Sequence, residues 1–405
     1  MPTRIASRSV DTVAERIVEY LAQREQEMVE YLEHLVKAES PSVEPDSQAA
    51  PLTIILETLR SLDYDIELIR GQQSGGHLMA RPRRRADEDK RQLLLGHCDT
   101  VWPVGTLKKM PFVVEGDRIR GPGVYDMKGG LVQMLFALKA VEELELKPAL
   151  APFVFVNSDE EIGSPESGMY IQALAEEVRR VFVLEPSLGV SGMLKTARKG
   201  VGRFTVKVKG VAAHAGLDPE KGRSAILEMS YVIQQLFDMN RPEFGISVNV
   251  GLLEGGLRPN VIAPSSLAEV DVRVPTQGDA ERVEQAILNL KPVTDGVKVQ
   301  VYGKLNRAPM ERTPANQALW ELAKDAAARL DIDLGHGMAG GASDGNITSQ
   351  ITATLDGLGA VGDGAHAEHE FIFKSKMLQR SALLALLLLA DDQNLGQQPS
   401  GLPLY

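Results

Sequence analysis

The 405-residue sequence predicts an α/β fold: a mixed sheet with helices on both faces, interrupted by an inserted α+β domain of ferredoxin-like order. Two textures of strand carry that prediction. Over about residues 50–198, short apolar runs such as Leu93, Leu94, Leu95 and Phe153, Val154, Phe155, Val156 alternate with helical patterns, as buried strands of a largely parallel sheet do. From Lys199 onward the strands turn amphipathic. Phe204, Val206 and Val208 alternate with polar residues, the mark of an antiparallel strand with one face in water. Length supports the division, because 405 residues exceed the range of one compact core. The expected parts are 1–198 with 309–405, and 199–308 between them.

Taken in order, Val13, Ile17, Leu21, Met28, Leu32, Leu35 and Val36 recur at helical spacing, so residues 10–38 read as an amphipathic helical hairpin or one long helix. Leu52, Ile55, Leu56, Leu59 and Leu62 share one face of a helix over 51–62, ahead of strands at 64–69 and 77–81. After the charged turn 83–91, the leucine run leads into His97. Gly121, Pro122 and Gly123 precede Asp126, and Gly129 and Gly130 open a helix that turns Leu131, Met134, Leu135, Leu138 and Val141 inward. Strand 153–156, helix 169–178 and strand 181–184 continue the alternation. The insertion reads strand 203–209, helix 223–237, strands 246–250 and 267–274, helix 283–290, strand 297–302. The sheet resumes with a helix over 315–330. The apolar run 382–390 is a buried final helix, far short of a membrane span, and the polar tail after residue 392 is expected to fray.

Composition narrows the partners. A net charge of −11 and a pI near 5.3 leave no basic field for a phosphate backbone, so nucleic acid is not expected. The single cysteine, Cys98, excludes an intrachain disulfide and fits a reducing compartment. The N-terminal stretch lacks the apolar core of a signal peptide, so a cytoplasmic location away from membranes is expected.

Glu160 and Glu161 emerge at the C-terminal end of the buried run 153–156, where open α/β sheets collect ligands and catalytic groups. Alone, such a pair is ordinarily a solvated loop. Its company changes the reading: His97, Asp126, Glu185 and His366 each fall near a predicted strand or helix boundary, on one edge of the sheet. Two neutral imidazoles and several carboxylates, one left free as a base, are what a hydrolytic site with two metals about 3.5–4 Å apart requires. Alternation along the strand points Cys98 away from His97 and Asp99. His34, His77 and His336 have no partners in the pattern and read as structural or surface residues. The glycine-rich run 339–346 lacks the lysine and spacing of a phosphate-binding loop.

The segments GHCDTVWPVGTL, GPGVYDMKGG, SDEEIGS, LEP, AAHAG followed by GRSA, and GAHAEHE carry a resemblance over about residues 50–380. In order and spacing they resemble the zinc-dependent aminoacylase and carboxypeptidase family that includes acetylornithine deacetylase, succinyl-diaminopimelate desuccinylase and the glutamate carboxypeptidases. The resemblance implies two zinc ions per subunit, with cobalt or manganese as substitutes. His97 and Glu185 would hold one, Glu161 and His366 the other, and Asp126 would bridge them. Asp99 would orient the His97 imidazole, and Glu160 would be the general base toward the metal-bridging water. His214 would polarise the scissile carbonyl from the neighbouring subunit of a homodimer formed through the insertion. Asn260, Arg273 and Arg307 would line the substrate site, with surface salt bridging the alternative for both arginines. The glycine-alanine-histidine pattern with Glu370 four residues on favours His366 over His369, and the glycine-rich run would line the substrate pocket.

Glu185 stands where the resembled family tends to carry Glu in carboxypeptidases and deacylases and Asp in aminopeptidases and dipeptidases, so the resemblance implies a small peptide or N-acyl amino acid with a free carboxylate beside the scissile amide. The run 99–106 is most like the glutamate carboxypeptidase branch. Met193 stands where glutamate-releasing members carry a lysine, with Lys195 two residues on, so the released residue is left open. Carboxypeptidase action is the first expectation and N-acyl-amino-acid deacylation the alternative. A non-catalytic zinc scaffold would have no need of Glu160. N-carbamoyl amidohydrolases usually show a GGxFDG-type segment where this chain has Tyr125, Asp126 and Met127.

Overall fold

The computed structural model describes residues 12–85 and 88–391. Residues 10 and 11 of the first helical stretch, and the tail expected to fray, lie outside them. The chain begins with a helical hairpin, α1 (Thr12–Ala22) and α2 (Glu25–Lys37), followed by α3 (Ala49–Ser61). Strands β1 (Tyr64–Ile69), β2 (His77–Pro82) and β3 (Arg91–His97) come next, then the short β4 (Val113–Glu115) and β5 (Arg118–Arg120). After α4 (Gly129–Glu143) come β6 (Ala151–Asn157), α5 (Gly168–Glu177), β7 (Arg180–Val183) and β8 (Leu194–Arg198). The amphipathic region supplies β9 (Gly200–Lys209), α6 (Ala225–Phe237), β10 (Ser247–Gly255), β11 (Ser265–Val274), α7 (Gln277–Leu288) and β12 (Lys298–Arg307). Last come α8 (Pro314–Ala328), β13 (His336–Ala339), α9 (Gly345–Thr348), β14 (Ala353–Leu355), β15 (Gly362–Asp363), β16 (Phe371–Phe373) and α10 (Lys374–Leu389).

The chain divides into two compact units, one of residues 1–196, 312–337 and 343–405, the other of 197–311 with 338–342. In the first, a six-stranded sheet runs β1-β2-β6-β3-β7-β14, with β6, β3, β7 and β14 parallel and β1 and β2 antiparallel. Its central strands β6, β3 and β7 are buried nearly end to end because both faces are covered, whereas the edge strand β1 exposes Asp65, Glu67 and Leu68. Leu94, Val154 and Phe182 join the core built with α4 and α10, while Leu93, Leu95, Phe153 and Val181 face Ile171 and Leu174 of α5. A second sheet, β15-β16-β5-β4, pairs Ile372 with Ile119, and so staples the segment after His366 to the segment before Asp126. These strands are two or three residues long, too short to leave a period in the sequence.

The second unit is a four-stranded antiparallel sheet, β10-β11-β9-β12, crossed by α6 and α7. Phe204, Val206 and Val208 point into its core with Val270, Val272 and Val274, as the period of two requires. Helix α7 starts earlier than its apolar spacing indicates, because Thr276 caps it by accepting from the Asp279 amide at 3.1 Å.

Of the histidines without a pattern, His34 is exposed and His336 stacks on Trp320 at 4.5 Å between ring centroids. His77 on β2 is 1% exposed, neither ring nitrogen has a hydrogen-bond partner, and Phe155 and Tyr170 lie about its ring. Burial lowers its pKa, against the pull of Asp159, Glu166, Asp99 and Asp344. Between the ordinary value of 6.5 and that lower one, the unfolded chain takes up a proton that the folded chain refuses, so stability falls as pH drops through this window. His77→Leu is expected to remove that part of the acid sensitivity. Urea unfolding of the metal-free protein at about pH 5.5 and 7.5 checks it, and an equal loss in both proteins would clear His77 of the effect.

Candidate active site

Adjacent parallel strands end on the same edge, and the order β6-β3-β7 therefore delivers three groups together. His97 is the last residue of β3, Glu160 and Glu161 form the turn after β6, and Glu185 lies two residues beyond β7. Asp126 sits in the turn Val124–Lys128 that leads into α4. That helix approaches closely because of Gly130, where a Cβ would come within 2.0 Å of the Leu184 carbonyl oxygen. His366 arrives on the loop between β15 and β16, in the left-handed region at φ 61°.

His97 Nε2 lies 3.3 Å from Asp126 Oδ1 and 3.4 Å from Glu185 Oε1. His366 Nε2 lies 3.1 Å from Glu161 Oε2 and 3.5 Å from Asp126 Oδ2. Each oxygen of Asp126 thus faces a different imidazole. Ligand atoms of His97, Glu160 and Glu185 lie within 4.8 Å of one another, as do those of His97, Asp126 and Glu161. The buried atoms His97 Nε2, Asp126 Oδ1 and Glu161 Oε1 have no hydrogen-bond partner. Bonds of about 2.0–2.1 Å to a tetrahedral ion would hold ligands about 3.3 Å apart, so the spacing and the unused lone pairs fit metal.

Charge is drawn into the cluster. Burial opposes a charge on His97, yet Asp126, Asp99 and Glu185 outweigh it and raise the imidazole well above its ordinary pKa. Asp126 and Glu161 push His366 up to about 10. Burial works to raise Asp126, but His366 and His97 hold it well below the usual carboxylate range. Burial pushes Glu161 up. Lys195 Nζ stands 4.0 Å from Glu185 Oε2. Cys98 is fully buried and outside the groups that could hold metal among the described residues.

Asp99 does more than orient an imidazole. His97 Nδ1 donates to the Asp99 carbonyl oxygen at 2.9 Å, with Oδ1 at 3.4 Å, which turns Nε2 toward Asp126 and Glu185. The same carboxylate accepts from Ser42 Oγ at 2.6 Å and from the amides of Glu160 and Glu161 at 3.3 and 3.2 Å. Further acids anchor the glutamate loop. Asp159 accepts from the amides of Glu166 and Ser167, and Glu166 reaches across to the amides of Gln72, Gln73 and Ser74. Asp344, in the glycine-rich run, accepts from Ser164 Oγ and from Asn157 Nδ2. That run therefore braces the glutamate loop. Sequence reasoning gave Asp159 and Glu166 no role and placed Asp344 only in a run expected to line the substrate pocket, since an acid that accepts from amides and hydroxyls distant along the chain leaves no spacing signature.

The first unit brings together His97, Asp99, Asp126, Glu160, Glu161, Glu185 and His366; the other expected residues belong to the second unit. His214 and Asn260 lie exposed on its loops, joined where the Ala215 amide donates to the Asn260 carbonyl at 3.0 Å. Amides of Gly216 and Leu217 donate to His214 Nδ1, each at 3.1 Å, so the proton of the neutral ring sits on Nε2. Arg273 forms a two-pronged pair with Asp271 on its own strand, at 2.8 and 3.0 Å. Arg307 closes β12.

Unused lone pairs converging from strand ends are how a hydrolase presents itself to catalytic metal, and comparison agrees with that class. The chain belongs to peptidase family M20/M25/M40, whose model matches residues 93–390, and is a metallo-hydrolase acting on peptide bonds. It is 27% identical over 375 residues to carboxypeptidase G2 of Pseudomonas sp. (strain RS-16), covering 90% of this chain and 89% of that one. Among solved structures it resembles the aminopeptidase PepT of Bacillus cereus, with a TM-score of 0.72, 18% identity, and 92% and 98% of the two chains covered. The metallo-carboxypeptidase Sso-CP2 of Sulfolobus solfataricus gives 0.67, 16%, and 90% and 98%. At those identities the structures bear on the fold alone.

Proposed function

We propose that the protein is a zinc-dependent carboxypeptidase that cleaves an amide bond next to a free carboxylate. The observation that carries the reading is the division of the Asp126 carboxylate between two imidazoles, each with one further acid: His97 with Glu185, and His366 with Glu161. Those pairs would hold one ion each, zinc or in its place cobalt or manganese, and Asp126 would hold both. When bound, the ions supply Lewis acidity toward the scissile carbonyl and make the attacking water acidic enough to react near neutral pH.

Glu160, beside Glu161 and left over from that division, takes the water's proton as its oxygen adds to the carbonyl carbon. It returns the proton to the amide nitrogen as the C–N bond breaks. Asp99 keeps the His97 ring turned. The proton on His214 Nε2 suits that group to donate to the carbonyl oxygen. Asn260, Arg273 and Arg307 would contact the substrate, Arg273 by exchanging Asp271 for a carboxylate. Likeness to carboxypeptidase G2 over most of both chains supports the activity. A panel of C-terminal dipeptides and N-acyl amino acids, each beside its C-terminal amide, tests it on the zinc-loaded protein. The acids should be hydrolysed and the amides spared, and equal turnover of both would sink the reading.

In the same reading the second unit forms a homodimer. Strand β10 lies at the edge of its sheet, and Leu252, Leu253 and Leu257 are exposed there, as are Ile226 and Leu227 of α6. An unpaired edge beside exposed apolar side chains suits a second copy of the chain. His214 would then act in the partner's site. Mixing His214→Ala with Glu160→Gln chains is expected to restore about one quarter of wild-type activity, since half the dimers are mixed and each has one intact site of two. No recovery despite subunit exchange would place His214 in its own chain's site or outside catalysis. Among the described residues no helix is long and apolar enough to cross a membrane, and a cytoplasmic location remains part of the proposal.

A further inference from the structure

Glu370 has a fully buried side chain, and its two oxygens receive four N–H donors. Oε1 accepts from the Tyr125 amide at 2.8 Å and the Asp126 amide at 3.1 Å. Oε2 accepts from the Gly123 amide and from Trp102 Nε1, both at 2.9 Å. Trp102 lies five residues beyond His97, and Glu370 itself lies four beyond His366. One carboxylate therefore ties together the three chain segments that carry His97, Asp126 and His366. Burial pushes its carboxyl up to about 7, against the pull of these four donors.

We infer that Glu370 is a positioning residue for the metal pair: by fixing the 123–126 backbone and the Trp102 indole, it sets where the Asp126 carboxylate stands between the two imidazoles. The inference rests on the two-metal reading above. The geometry leaves no substitute for a carboxylate. An amide has one accepting oxygen, so whichever way a glutamine is turned, its NH2 group meets two N–H donors: Tyr125 and Asp126, or Gly123 and Trp102. The turn must then shift, and the bridging oxygens with it. Groups that hold metal ligands in place in this way typically account for about 10–100-fold in metal affinity or activity.

Glu228 provides the control. It is a fully buried carboxylate that accepts from the amides of Val293 and Thr294 at 2.8 and 2.7 Å, but it belongs to the second unit. Full-length wild type, Glu370→Gln and Glu228→Gln are freed of metal and titrated with cobalt, following uptake by calorimetry and the visible spectrum; kcat and KM are then measured. Glu370→Gln should weaken the uptake by about 10–100-fold, alter the cobalt spectrum and lower kcat with KM nearly unchanged. Glu228→Gln should leave affinity and spectrum as in wild type.

Should Glu370→Gln fail to fold, Trp102→Phe removes one of the four donors and keeps the carboxylate. Its cobalt affinity should fall in the same direction by a smaller factor. Wild-type affinity and spectrum in Glu370→Gln, an equal loss in Glu228→Gln, or unchanged affinity in Trp102→Phe would each overturn the inference. A wild type that takes up no cobalt would overturn the two-metal reading itself, an outcome distinct from the other three.

Discussion

Glu160→Gln is expected to load metal like the wild type and to lose turnover by about 10²–10⁴-fold, the span that a positioned general base contributes. Glutamine keeps the shape of the side chain and its place beside Glu161, but it cannot accept the water's proton or return it to the leaving nitrogen. The neighbouring substitution should behave differently. Glu161 has one oxygen 3.1 Å from His366 Nε2 and the other buried without a partner, so Glu161→Gln replaces a proposed ligand by a poor one. Its metal content after dialysis should fall while that of Glu160→Gln does not. A matching fall in both variants would show that the two roles are wrongly divided.

Chelation should abolish activity altogether and leave the fold standing. The loops of the site do not depend on metal for their shape: Asp99, Asp159, Asp344, Glu166 and Glu370 hold them through amides and hydroxyls of the chain. Beneath them lie the apolar cores on the two faces of the large sheet. The far-ultraviolet circular dichroism of the chelated protein should match that of the loaded one, and zinc should restore turnover. Wholesale unfolding on chelation would mark the metal as a structural element.

Much of this was legible in the sequence for reasons of period and position. Leu93–Leu95 and Phe153–Val156 are buried on both faces, so they stand out as unbroken apolar runs, and the groups that follow them are marked as strand-end residues. The same logic separated the amphipathic strands near Phe204. What stayed hidden was cross-chain bonding. Nothing in the spacing joins Glu370 to Gly123, Tyr125 and Trp102, or Ser42 to Asp99, since those bonds link residues far apart along the chain. Arg273 lies between these cases: surface salt bridging was one of its two sequence readings, and the folded strand shows the pair with Asp271, two residues away, formed.

The bonding of Asp99 has a consequence for how substitutions combine. The Asp99 carboxylate meets the amides of both Glu160 and Glu161, while the main-chain carbonyl of the same residue accepts a hydrogen bond from His97 Nδ1. The proposed ligand and the proposed base are thereby linked through a shared support, and residues that share a support do not contribute independent increments of free energy. Loss of the Asp99 carboxylate should displace Glu160, whose amide it holds, so removing the Glu160 carboxylate as well would have less left to destroy. The two losses overlap, and their product overstates the double variant's defect. Epistasis of this kind is the signature of a site whose parts are kept in register by one group, and it confines tolerated change at Asp99 to side chains that satisfy all its donors at once.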